Sequence, residues 1–309
     1  HDEGCKDQSV VIHKFQQDPR IVEQNLIRNL LSGSHRDGAN LFKHLQGHNI
    51  QVIDQKEMDY YWWNETKLLW ELQPRQSLIH TISKTLTEPV FKEITKINRK
   101  IANSTDDDTL KKLQTDLKNT QKKLNDLKST PYLNHIINYY ASFSINHDFS
   151  KNMNRTEEEL PTKNGMVLNL KTKAHRKRTR DDLFSFELKV EYDPKRTDFS
   201  HTIKFFQGIC CGDMELVDYH QRFWGYTLSG STDDRSLHIG WGCGRNGKSS
   251  LVDIIKYILD EYYTTLSEDV LIKNERKGGA TPELVALKTA RVGVISETDN
   301  QEKLNAKRV

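Results

Sequence analysis

The sequence predicts a mixed fold: a mainly helical N-terminal region with small β elements, followed by the start of an α/β domain. Three observations carry that prediction. Apolar residues recur at helical spacing from Leu78 to Tyr140. Strand and turn signals gather after Pro161. A glycine-rich loop, Gly242-Cys243-Gly244-Arg245-Asn246-Gly247-Lys248-Ser249, stands between a short apolar segment and an amphipathic run.

Taken in order, residues 8 to 46 show an irregular helical pattern through Val11, Ile12, Phe15, Ile21, Val22, Leu26, Ile27, Leu30 and Leu31. Gly33, Gly38 and Gly47 punctuate it. Residues 48 to 72 hold Tyr60, Tyr61, Trp62, Trp63 and Trp70, with Asn64-Glu65-Thr66 turning between two apolar runs, and predict a β-hairpin. Its rings suit a small hydrophobic core first and base stacking second. Helix resumes at Gln76 with Leu78, Ile82 and Leu86; Pro89 is expected to interrupt it before Phe91, Ile94, Ile97 and Ile101. Asp106, Asp107 and Asp108 are suited to cap the next helix. There Leu110, Leu113, Leu117, Leu124 and Leu127, with Thr120 filling the gap, form a short coiled-coil-like seam, one arm of a helical hairpin. Pro131 closes it, and a further helix runs through Leu133, Ile136, Ile137 and Tyr140.

After Pro161 the pattern changes. Asn164-Gly165 predicts a turn, Met166–Leu170 a short strand, and Phe184–Val190 a strand with one wet face. Residues 198 to 228 return to helix. The expected organisation is 1–160 mostly helical, 161–228 a mixed connecting region, and 229–309 the start of a P-loop α/β domain.

The glycine-rich loop satisfies G-x-x-x-x-G-K-[ST], preceded by Leu237-His238-Ile239 and followed by a helical run from Ser250 to Tyr262. Glycines let a backbone wrap phosphate oxygens with its amides inward, and the helix N-terminus faces the same charge. In this chemistry Lys248 reaches the β- and γ-phosphates and the Ser249 hydroxyl holds Mg2+, so the expected ligands are ATP and Mg2+. A second half is expected in Arg291–Glu297, an apolar strand ending in a carboxylate. Glu297 is suited to polarise the attacking water or to orient Mg2+ through its shell, with Asp299 a weaker candidate. Ser296 occupies the place where many such sites put a metal-holding Asp.

Composition excludes other classes. No apolar stretch approaches a membrane span, and no signal peptide is visible, so the Asn-x-Thr matches at Asn64, Asn103 and Asn154 carry little weight. Cys5, Cys210, Cys211 and Cys243 lack both a disulfide framework and paired zinc spacing, which suits reduced thiols inside a cell. The formal net charge is +3, too small by itself to imply nucleic acid. Its distribution says more: Lys171, Lys173, Arg176, Lys177, Arg178 and Arg180 fall within ten residues, beside His175. That cluster is either a phosphate-binding patch or a solvated loop, since Asp181 and Asp182 follow at once. Lys273, Arg276 and Lys277 before Gly278-Gly279, with Thr281-Pro282-Glu283 starting a helix, pose the same choice between a nucleic-acid contact and a mobile surface loop.

Asn164–Leu170, Tyr192-Asp193-Pro194, Gly208, Gly212-Asp213, Gly225-Tyr226 and the Gly242–Ser249 loop together resemble the poxvirus D5-type primase-helicases, a pattern shared by large DNA viruses and by phage and plasmid primases of the P4 type. Thr281-Pro282-Glu283-Leu284, Arg291, Ser296-Glu297 and Glu302-Lys303-Leu304-Asn305 continue it. The likeness is good from about residue 160 onward and looser over 10–150, around Trp62 and Trp70. It implies a superfamily 3 helicase: an AAA+-like ATPase that forms a homohexameric ring and translocates on single-stranded DNA. Lys248 and Ser249 correspond to its nucleotide-binding pair and Glu297 to the acidic residue of its second motif.

The chain starts at His1, which suggests a piece of a longer polypeptide, and it stops at Val309, ahead of the sensor asparagine and arginine finger that the resemblance implies. The usual upstream primase module is not recognisable. The piece alone is therefore expected to bind ATP poorly, form no ring and unwind nothing, with the parent as the active enzyme. Replication proteins are the implied partners, and host cytoplasm or a viral replication compartment the implied setting. Two other readings stay open: a P-loop ATPase for DNA packaging or remodelling, and a non-enzymatic module that recruits replication proteins.

Overall fold

Asp18 and Pro19 start the first helix, α1 (Pro19–Ser32): the Asp18 carboxylate accepts the Arg20 amide at 2.9 Å, and a proline in the first turn gives up no needed donor. The computed structural model describes residues 18–54, 59–234, 237–242, 244–267, 270 and 285–295. Val11, Ile12 and Phe15 of the expected N-terminal pattern lie outside them. The chain divides into two units, one of residues 1–62 and 72–147, the other of 63–71 and 148–309. The architecture is mixed, helical toward the N-terminus with small β-sheets.

In the first unit α2 (His35–Gln46) follows α1, with Ser34 and Asp37 forming a capping box. Next in the chain comes β1 (Ile50–Val52), pairing antiparallel with β2 (Tyr60–Asn64), which continues through a tight turn into β3 (Leu69–Gln73); residues 63–71 of this hairpin belong to the second unit. The turn is set by Asn64, whose side-chain oxygen accepts the Thr66 and Lys67 amides at 2.9 and 3.0 Å. The expected hairpin is therefore present, with β1 as an added strand.

Helix α3 (Arg75–Asn103) passes through Pro89 without a break, contrary to the expected interruption. Leu78, Ile82, Leu86, Val90 and Ile97 are all buried along it, before and after the proline. Burial of that continuous stripe against α4 (Asp107–Asp126) outweighs one lost backbone hydrogen bond. Asp106 caps α4 by accepting the Thr109 amide at 2.9 Å, as its acidic start predicted. Thr120 is buried in the seam and returns its hydroxyl to the Asp116 carbonyl at 2.7 Å, which satisfies it inside an apolar contact. Helix α5 (Thr130–Ser144) carries Pro131 in its first turn and adds Leu133, Ile136, Ile137 and Tyr140 to the core shared with Leu30, Phe42 and Leu86.

The second unit contains the short α6 (Phe149–Asn152) and an antiparallel sheet of β4 (Glu159–Pro161), β5 (Met166–Asn169) and β6 (His175–Lys177). Sequence reading anticipated β5 and its turn but neither β4 nor β6, both three residues long. The strand expected over 184–190 does not form. That stretch is irregular, though Leu188 N–H still donates to the Pro161 carbonyl at 2.9 Å and Phe184 and Leu188 point inward as the alternation predicted. Trp63 meets Trp70 edge-on at 5.5 Å, and Trp70 meets Phe149 at 5.0 Å; both tryptophans are buried, so these rings build core and offer no stacking platform.

Two helices follow, α7 (Ser200–Ile209) and α8 (Met214–Thr227), the second capped by Asp213. Helix α9 (Lys248–Leu259) then leads to β7 (Tyr263–Thr265), which pairs parallel with β8 (Val292–Val294). Among the described residues no helix is long and apolar enough to cross a membrane.

Candidate nucleotide-binding site

The loop from Gly242 to Ser249 enters α9 through three residues in the left-handed region: Gly244 at φ 84°, Arg245 at 50° and Gly247 at 83°. Two of the three are glycines, where that conformation costs nothing. Gly247 is also the N-cap of α9, and a Cβ there would lie 2.5 Å from Ile209 Cγ2, so a side chain is barred twice. The curvature brings Lys248 back over the loop. Its ammonium donates to the Gly242 carbonyl at 3.1 Å and to Asn246 Oδ1 at 2.9 Å. Ser249 is exposed in the first turn of the helix, where backbone amides have no partner within the helix. Gly242, Gly244, Arg245, Asn246, Gly247, Lys248 and Ser249 are thus placed; Cys243 lies outside the described residues.

The lead-in segment 237–242 forms no regular element, and Trp241 is 87% exposed. What holds it is α8. His238 Nδ1 lies 2.8 Å from the Tyr219 hydroxyl, and its ring sits 4.1 Å from that of Phe223. Tyr219 and Phe223 are four apart on one helix face, a spacing that marks a shared surface but does not name its partner.

For the second half of the site, β8 is present as the sequence predicted, while Ser296, Glu297 and Asp299 lie outside the described residues. So do the Lys273–Gly279 and Thr281–Leu284 segments. The residue just before this strand is named in the sequence as its start and again through the resemblance, but its packing role is not legible there. Arg291 is half-buried and donates to the Thr156 and Glu159 carbonyls at 2.8 and 2.9 Å and to the Leu228 carbonyl, while its guanidinium lies 4.8 Å from the centre of the Tyr262 ring. Burial pulls it below its ordinary pKa and pushes the Tyr262 phenol up to about 12. The Tyr262 phenol therefore stays neutral at neutral pH.

The basic cluster divides. Arg176 bridges Asp182 and Glu159, at 2.8 and 3.0 Å. Arg178 has a side chain with 0% exposure, paired with Glu187 and donating to the Lys67 carbonyl at 2.7 Å. Arg180 pairs with Glu65, and Lys171 approaches Glu158 at 3.4 Å. Arg178 alone serves the interior of the unit; Arg176 and Arg180 pair with carboxylates at or near the surface, and Lys173 and Lys177 are exposed. Among the described residues no three His, Cys, Asp or Glu side chains come together to hold a metal ion.

No family model matches the chain. Over 194 residues it is 25% identical to a protein of Acanthamoeba polyphaga mimivirus named "Putative helicase L207/L206", a match covering 62% of this chain and 20% of that protein. The chain spans about a fifth of the length of the relative it matches. It is distantly similar to a helicase-like protein of a large DNA virus.

Proposed function

We propose that this chain belongs to an ATP-dependent DNA helicase of superfamily 3, D5-like, acting in viral or mobile-element replication. The single observation that carries the reading is the curved loop with Lys248 folded over it at the start of α9. Such a loop suits a polyphosphate: amides and a helix N-terminus supply positive potential, and Lys248 adds a full charge. The similarity to the viral protein supports the helicase part. Ser249 would hold Mg2+ together with phosphate oxygens, a coordination that needs no protein carboxylate cluster. When bound, Mg2+ neutralises charge on the β- and γ-phosphates. In the AAA+-like arrangement that we infer, Glu297 orients the attacking water.

The test is turnover of ATP by the full-length protein with and without single-stranded DNA, beside Lys248→Ala. Removal of the phosphate-reaching ammonium is expected to lower turnover by about a hundredfold or more. DNA-stimulated turnover lost in the variant, together with strand displacement, supports the motor. A folded protein with no turnover leaves a recruitment role instead.

A further inference from the structure

We infer that Asn246 is a positioning residue for Lys248, and that Gly242 is glycine so that the Asn246 amide can lie across it. The inference rests on the phosphate-loop reading and deepens it. A lysine ammonium has three donors on a long flexible stem. Here two of them are taken by the loop itself, at Asn246 Oδ1 and the Gly242 carbonyl, 2.9 and 3.1 Å away. Two fixed points hold the ammonium and leave one donor for a phosphate oxygen. A capping role does not explain Asn246, because Gly247 is the N-cap of α9 and no side chain caps that helix.

Gly242 supplies the independent part of the argument. It is not among the glycines with positive φ, so its backbone suits any residue. A Cβ there would nevertheless lie 1.8 Å from Asn246 Nδ2 and 3.3 Å from Lys248 Nζ. The space above Gly242 is filled by the two side chains in question. Alanine at this position would displace the amide without straining the chain.

The experiment is a double-mutant cycle on binding of a fluorescent N-methylanthraniloyl ATP with Mg2+ to the full-length protein. Asn246→Ala is expected to weaken binding about tenfold or more, the scale of a lost hydrogen bond to a charged group. In a Lys248→Ala background the same change is expected to alter the dissociation constant less than about twofold, because the residue acts through Lys248. Gly242→Ala is expected to reproduce the Asn246→Ala loss and to add nothing to it. Additive losses across the cycle overturn the inference. A second readout needs no nucleotide: acylation of Lys248 by an amine reagent, read by mass spectrometry against Lys256, is expected to accelerate in Asn246→Ala. An unchanged rate overturns the clamp. Faster acylation in Asn246→Ala, alongside an unsubstituted protein that binds no nucleotide, keeps the clamp and sinks the phosphate reading alone.

Discussion

Arg291 saturates much of its donor fork on main-chain oxygens, with Thr156 and Glu159 at 2.8 and 2.9 Å and Leu228 at the C-terminal end of α8. All three hydrogen bonds are part-buried. Arg291→Met is therefore expected to destabilise the second unit by about 3–5 kcal/mol, since it strands acceptors and empties the space over Tyr262. Arg291→Lys keeps the charge but cannot span three acceptors, and recovers only part. Urea unfolding followed by hydrogen exchange in β4 and α8 measures both. An Arg291→Met protein within 1 kcal/mol of wild type, on the scale of an exposed pair, contradicts this account. Sequence alone showed an arginine before an apolar strand, and nothing in that pattern separates it from the surface arginines nearby. The same holds in the Lys171–Arg180 run, where charge counting is blind to which side chains turn inward.

At the scale of elements, the long helix α3 and the start of α2 yield predictions of opposite kinds. Pro89 lies inside α3, where a proline costs on the order of 3 kcal/mol against alanine. Proline also restricts the unfolded chain, which offsets about 1 kcal/mol. Pro89→Ala is thus expected to stabilise the helical unit by about 1–2 kcal/mol, seen as a raised urea midpoint; a lower midpoint would show that the proline fits the helix without strain. His35 opens α2, 4.3 Å from the Tyr132 ring and 4.9 Å from that of His135, while the Lys123 ammonium donates to the Tyr132 hydroxyl at 3.0 Å. Burial, then His135 and Lys123, hold its imidazole below the ordinary value against a smaller opposing pull from Asp126. The native state binds fewer protons than the unfolded chain, so stability rises with pH. The contribution is complete above about pH 6.5 and declines as pH falls from there to the lowered folded value. Unfolding midpoints between pH 8 and 5 should show that slope, flattened in His35→Gln.

Element by element, the long periodic runs were readable because burial on one helix face repeats every turn, as in Leu133, Ile136, Ile137 and Tyr140. The three-residue strands β4 and β6 were not, since three residues cannot display a period. Pro89 was misjudged because its local cost is visible in sequence and the packing that overrides it is not. The Lys248 loop was legible from its glycines; the support it draws from Ile209, Tyr219 and His238 depends on long-range contact.

For the whole molecule, the proposal implies assembly as well as chemistry. The full-length protein is expected to form a homohexamer in the presence of Mg-ATP, measured by light scattering. A monomer at all concentrations that still hydrolyses ATP would remove the ring and keep the nucleotide site. The net charge of +3 is not a guide to DNA affinity here, because the arginines of the densest basic run are each paired with a carboxylate of the same chain.

The aromatic hairpin tip has a consequence during synthesis. Trp70 donates its indole N–H to the Arg180 carbonyl, 110 residues later, and Arg180 in turn reaches back to Glu65. At about 5–20 residues per second, Trp63 and Trp70 leave the ribosome roughly 5–20 s before the backbone that will cover them exists. Over that interval the nascent chain presents an apolar knob, and a chaperone that shields it is expected to raise the yield of folded protein.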